Sequence, residues 1–243
     1  MTKTTASRKA PTKATKEKYV AETENLLNNF KPTENQFEAI NIARKNTISF
    51  ITGPAGTGKT SAILWDFCKE YLRDNTKRIV VVRAPMEAGQ LDKIGFLPNS
   101  LQEKTAPHFE STKEILSNFL GKNKVECDLD KRIQLLIPNY MIGKTIDNAL
   151  VLVDEAQVLQ PMILKLILER TGINSRVIVT GDPSQLYVGT QEAKLRNGLT
   201  DAINRFAPNG KPKFDNIGYY QFSVDDVMRS DIVKTVIKAY GGK

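Results

Sequence analysis

The chain has 243 residues, 40% hydrophobic and 26% charged, which is enough to bury a core and excludes wholesale disorder. Its two cysteines, Cys68 and Cys127, exclude a disulfide framework and offer no metal-ligand spacing. The net charge of +8 admits a polyanionic partner, but where that charge lies matters more than its size.

Lys3, Arg8, Lys9, Lys13, Lys16 and Lys18 crowd residues 1–18 against Glu17 alone. The stretch is rich in Thr, Ala and Lys, without apolar periodicity, so a flexible basic arm is expected over residues 1–30 rather than a secretory signal. Such an arm attracts polyanions by counterion release, or simply keeps the chain soluble. The longest apolar runs, Ile79–Val82 and Ala149–Val153, are strand-length. No membrane partner and a cytoplasmic location are therefore expected.

After the arm, β-branched runs alternate with helical patterns, which predicts βαβ units, an α/β fold with a mainly parallel sheet, and one domain over residues 31–243. The runs show little polar alternation, as expected of strands covered on both faces. Thr33, just before a helical stretch at 34–45, and Gln36 three residues later spell a capping box. Gln36 has a second reading, because an amide donates and accepts at once and so suits an adenine edge. Both readings stand.

Strand Thr47–Thr52 runs into Gly53-Pro54-Ala55-Gly56-Thr57-Gly58-Lys59-Thr60. This matches G-x-x-x-x-G-K-[ST], which arises by chance about once in a hundred chains of this length. It also opens a helix, 59–72, whose Ile63, Leu64, Phe67 and Tyr71 share a face. Glycines let backbone N–H groups curl around a phosphate, and the helix presents its positive end to the anion. Lys59 is placed for the β- and γ-phosphates and Thr60 for Mg2+. The expected nucleotide site is Gly53, Pro54, Ala55, Gly56, Thr57, Gly58, Lys59, Thr60 and Ser61, with ATP as substrate. On the same helix Cys68 reads as packing, and Trp65 as core or interface.

Strand Arg78–Arg83 and helix 99–120 follow; His108 on that helix reads as surface or satisfied core. Residues 121–148 are polar around Lys122–Arg132 and fit an excursion from the sheet, with strand Ile133–Ile137 inside them. Strand Leu150–Asp154 ends in Asp154-Glu155-Ala156-Gln157, which places two carboxylates at the carboxyl edge of the sheet, where open α/β folds bind ligands. Adjacent residues face differently, so Asp154 is expected to hold the Mg2+ shell and Glu155 to polarise the attacking water. Strand Arg176–Thr180 ends in Gly181-Asp182-Pro183-Ser184-Gln185. Gln185 reads either as a γ-phosphate sensor or as part of a simple turn. Helix 195–206, strand Ile217–Phe222 and helix 224–240 complete the chain.

Seven segments occur together in one order: Thr33-x-x-Gln36, the glycine-rich loop, Val82-Arg83-Ala84-Pro85-Met86-Glu87-Ala88-Gly89, Gly95-Phe96-Leu97-Pro98, Tyr140-Met141-x-Gly143-Lys144-Thr145, Val153-Asp154-Glu155-Ala156-Gln157 and Thr180-Gly181-Asp182. From about residue 33 to 240 the chain resembles the PhoH-like family of phosphate-starvation-inducible ATPases, which many bacteriophages also carry. The resemblance implies a P-loop NTPase with a RecA-like three-layer αβα sandwich, similar to the first core domain of superfamily 1 helicases. It implies ATP hydrolysis and action on RNA or single-stranded DNA. Lys59 and Thr60 match the Walker A pair, Asp154 and Glu155 the Walker B pair, and Gln185 the glutamine of a helicase-like G-D-x-x-Q segment. Arg229 falls where the family has Val-Val-Arg-His, although Ser230 replaces the histidine.

Charge that builds on the γ-phosphoryl oxygens calls for an arginine. Arg229 is the candidate finger, while Arg83 reads as support for the loop after its strand. A motor needs two such cores and this chain has one, so a homo-oligomer, such as a hexameric ring, would have to supply the second core and the arginine. The alternative is an ATP-dependent regulatory protein acting on a protein partner in phosphate-starvation or phage metabolism. No aromatic stacking platform for bases is legible.

Overall fold

The computed structural model describes residues 27–84, 98–141, 143, 145–185 and 197–239. The first half contains helix α1 (Glu34–Lys45), strand β1 (Ile48–Thr52), helix α2 (Lys59–Arg73), strand β2 (Arg78–Arg83), helices α3 (Pro98–Leu120) and α4 (Lys122–Asp128), and strand β3 (Ile133–Leu136). Strand β4 (Ala149–Asp154), helix α5 (Pro161–Leu168), strand β5 (Arg176–Gly181), helix α6 (Gly198–Phe206), strand β6 (Ile217–Gln221) and helix α7 (Asp231–Ala239) follow. Strand ends match the sequence expectation to within a residue, because most of the strands are apolar runs rich in β-branched residues and closed by glycine, proline or charge. The basic arm up to residue 26, the segments 85–89 and 95–97, positions 142 and 144, and the expected start of the helix at 195–206 lie outside the described residues.

All six strands form one sheet in the order β3-β2-β4-β5-β1-β6, and every pairing is parallel. Burial is continuous along the inner strands: all six residues of β4 are buried. Successive side chains serve opposite faces. Ile51, Ile79, Val81, Leu150, Leu152 and Ile178 pack with Ile40, Ile63, Phe67 and Leu116 of α1, α2 and α3. Their neighbours Phe50, Val80, Val82, Val151, Val153, Val177 and Val179 pack with Leu164 and Ile167 of α5 and Leu199 and Ala202 of α6. This is a three-layer αβα sandwich of RecA-like type. Because the strands run parallel, the ends of β1, β4 and β5 share one edge, with Thr52 beside Gly181 and Arg83 beside Asp154 in register. Among the described residues no helix is long and apolar enough to cross a membrane.

The polar stretch after residue 121 contains α4, which packs back onto α2 through the Tyr71–Asp128 hydrogen bond and Lys124 over the Tyr71 ring, before the chain enters β3 at the sheet edge.

Two expectations need correction. The helix expected over 224–240 is broken. Val224–Asp226 form one 3-10 turn, closed by a capping box between Ser223 and Asp226. The helix proper starts at Asp231. The break has a tertiary cause: Val227 is buried, and the Met228 N–H donates to the Gly56 carbonyl at 2.9 Å instead of to a helical carbonyl. Likewise, the expected flexible arm 1–30 reaches the core before its end. Leu27 is buried and accepts a 2.8 Å hydrogen bond from the Trp65 indole, while the Phe30 ring packs on Trp65 and Phe119. Trp65 and Cys68 belong to this core.

Candidate active site

The loop between β1 and α2 is shaped by three glycines with positive φ, Gly53, Gly56 and Gly58. At Gly53 close approach adds to the backbone demand, since a Cβ there would stand 2.7 Å from the Phe222 Cβ and carbonyl oxygen. The Gly53 N–H donates to the Gly181 carbonyl at 3.2 Å, which ties the loop to the end of β5. The Thr57 hydroxyl donates to the Pro54 carbonyl at 3.1 Å. Lys59 Nζ donates to the Gly53 and Pro54 carbonyls at 2.6 and 2.7 Å. Burial pushes the Lys59 ammonium below its usual pKa, against the opposing pull of Asp182, Glu155 and Asp154.

At the end of β4, Asp154 is buried. Its Oδ1 accepts from the Thr60 hydroxyl at 2.9 Å and from the Thr180 hydroxyl at 2.7 Å. Glu155 turns the chain out of the strand with φ 53°, in the left-handed region. Its carboxylate faces the cleft and accepts from Gln157 Nε2 at 2.6 Å. Arg83, at the end of the neighbouring strand β2, stands 3.9 Å from Asp154 Oδ2 and 3.8 Å from Glu155 Oε1. The sequence suggested loop support for Arg83, and that loop lies outside the described residues; the described partners of Arg83 are these two carboxylates and Ser111 of α3.

Lys59, Thr60, Asp154 and Glu155 border a cleft of about 460 Å³ that also includes Ala55, Gly56, Gly58, Ser61, Gly181, Asp182, Gln185 and Arg229. Gln185 closes a turn by donating its N–H to the Asp182 carbonyl at 3.1 Å, so the turn and the cleft position coexist. Gln36 is buried and makes both bonds of the capping box with Thr33. Its Nε2 also donates to the Thr57 carbonyl at 2.9 Å, binding α1 to the loop. Gly53, Pro54 and Thr57 shape the loop from behind. A groove of about 500 Å³ between α5 and α6 is lined by apolar side chains such as Leu164, Leu168 and Phe206 and carries none of this chemistry.

Sequence reasoning missed four contributors. Gln157 was visible two positions after Glu155, but it is held by the backbone N–H of Asp182, distant in sequence and just past the end of β5. Thr180 was a hydroxyl at a strand end, a signal that could have been used. Phe30 and Met228 line the cleft without any local pattern to announce them.

The profile of the family described as PhoH-like protein matches residues 30–241. The PhoH-like protein of Bacillus subtilis is 33% identical over 209 residues, covering 86% of this chain and 62% of the relative. Protein PhoH of Escherichia coli is 30% identical over 210 residues, covering 85% of this chain and 56% of the relative. The chain thus spans about three fifths of the length of the curated relatives it matches. Among solved structures, the large terminase of a thermophilic bacteriophage superposes with a TM-score of 0.49 at 12% identity, over 87% of this chain and 50% of that one. The SWI2/SNF2 ATPase core of Sulfolobus solfataricus in complex with dsDNA superposes with a TM-score of 0.42 at 13% identity, over 79% of this chain and 45% of that one.

Proposed function

The chain belongs to the PhoH-like family, and from that membership together with the cleft we propose that it binds Mg·ATP and hydrolyses it. The observation that carries the reading is the meeting of Thr60 with Asp154 at 2.9 Å, in a cleft that also holds Lys59 and Glu155. Lys59 holds the β- and γ-phosphates, and the backbone of Gly53–Ser61 cradles them. Glu155 takes the proton of the attacking water, Gln185 reads the γ-phosphate, and Arg229 offsets charge on the γ-phosphoryl oxygens. Gln36 and Phe30 form the wall on the adenine side.

Thr60 and Asp154 offer adjacent hard oxygen donors, which fits Mg2+. Among the described residues no group of three or more His, Cys, Asp or Glu could hold a metal, and Mg2+ needs only one or two protein ligands when phosphates and waters supply the rest. Bound there, the ion neutralises phosphate charge.

Turnover is coupled to RNA or single-stranded DNA in the cytoplasm, and a homo-oligomer such as a hexameric ring joins one core to the next. The basic residues of positions 1–18 support the nucleic-acid part of this reading. Arg229 borders the cleft of its own chain, which favours action within the subunit over donation by a neighbour. The test is ATP turnover with Mg2+, with and without RNA and single-stranded DNA, beside Glu155→Gln. That substitution should cost on the order of 10²-fold or more while leaving nucleotide binding intact. Turnover that depends on Glu155 yet ignores both nucleic acids would retain the ATPase and point to a protein partner. Light scattering with Mg·ATP at micromolar protein checks the assembly, and a monomer would remove the ring.

A further inference from the structure

We propose that Gln157 is a positioning residue that aims the Glu155 carboxylate at the attacking water; the inference rests on Glu155 being the general base. Gln157 is 4% exposed, and both ends of its amide are engaged. The Asp182 N–H donates to Gln157 Oε1 at 3.1 Å. A backbone N–H can only donate, so the amide oxygen must face it and the NH2 group must face the other way. That other way is Glu155 Oε2, 2.6 Å from Nε2. The end of β5 is shaped for this contact, because a Cβ at Gly181 would collide with the same amide oxygen.

Glu155 needs such a guide. Its backbone has φ 53°, a region that side-chain-bearing residues rarely adopt, so its direction out of the strand is set by strain rather than by regular structure. Arg83 at 3.8 Å supplies charge but is too distant for a directional hydrogen bond. Among the described residues, Gln157 makes the one hydrogen bond to that carboxylate. Without it the carboxylate is free to swing onto the Arg83 guanidinium, which would occupy its lone pairs and take it off the water. Nucleotide binding, which falls to the loop and Lys59, would be untouched.

Two substitutions separate this role from a structural one. Gln157→Glu retains an acceptor for the Asp182 N–H but loses the donor to Glu155; Gln157→Leu loses both bonds. Positioning predicts that both lower kcat by about tenfold or more while KM for ATP stays within about twofold. It also predicts that Gln157→Leu adds nothing further in a Glu155→Gln background, since the effect passes through Glu155. Thermal midpoints confirm that the variants fold. Wild-type kcat in Gln157→Glu, parallel changes in kcat and KM, or an undiminished effect in the Glu155→Gln background would each overturn the proposal. If the wild type does not turn over, the ATPase reading itself fails; if Glu155→Gln turns over as the wild type does, the ATPase stands but Glu155 is not its general base, and in either case the inference falls.

Discussion

The side chain of Arg229 lies against Gly56 of the same chain, so closely that a Cβ on Gly56 would stand 3.0 Å from Arg229 Cδ. The neighbouring Met228 N–H holds the Gly56 carbonyl at 2.9 Å. The segment after β6 therefore clamps the tip of the phosphate-binding loop, and its arginine reaches the cleft by a backbone route rather than by a flexible side chain alone.

Arg229→Ala should keep nucleotide affinity and lower turnover, on the order of 10³-fold if the arginine acts in the transition state. Steady-state kinetics beside binding of a non-hydrolysable ATP analogue reads the two separately. Equal loss of binding and turnover would assign Arg229 to nucleotide affinity instead.

Gly56→Ala presses on the same contact from the other side. The position has φ 89°, so alanine strains the loop as well as pushing on the arginine, and both binding and turnover should fall. A loss confined to turnover would mean that the loop absorbs the strain and only the arginine moves.

Gln36 joins two tasks that substitution can divide. Gln36→Ala removes the reciprocal cap and should cost about 1 kcal/mol by urea denaturation. Gln36→Glu keeps a side chain able to complete the capping box but loses the donor to the Thr57 carbonyl. It should raise KM for ATP with a smaller effect on stability. Equal stability losses in the two variants would mean that the bond to the loop, not the cap, carries the stability.

Acid should reveal the anchor between α2 and α4. Burial works against ionisation of Asp128, but hydrogen bonds from Tyr71 and Lys124, with the charges of Lys124 and Arg132, outweigh it and hold the carboxyl below its usual range. Burial, reinforced by Asp128, pushes the Tyr71 hydroxyl up. A depressed carboxyl pKa stabilises the fold above its unfolded value of about 4 and loses that contribution as pH falls through the lower folded value. Tyr71→Phe should cost about 1 to 3 kcal/mol at pH 7, and the gap to wild type should narrow in urea titrations below about pH 4. A gap independent of pH would show that the hydroxyl contributes by packing alone.

Much of the site was legible because its chemistry is local. Lys59 and Thr60 follow a strand and open a helix within a few residues, and Asp154 and Glu155 end an apolar run, so short-range rules fix their place at the sheet edge. The helix at the C-terminus misled for the opposite reason. Its periodicity over 224–240 is genuine, but the backbone at Val227 and Met228 is committed to burial and to Gly56, partners that no local pattern contains.

By itself, the sequence determined the parallel α/β architecture, the phosphate-binding loop and the acidic strand end, since hydrophobic periodicity and glycine placement act within a single element and its neighbour. Only the tertiary structure decided which side chains join them. The amide of Gln157 finds Asp182 just past the end of β5, Arg83 faces Asp154 and Glu155 across a strand pair, and Phe30 is carried to the cleft by packing on Trp65 and Phe119. Strand order and packing set these meetings between residues distant in the chain, and a linear pattern carries neither.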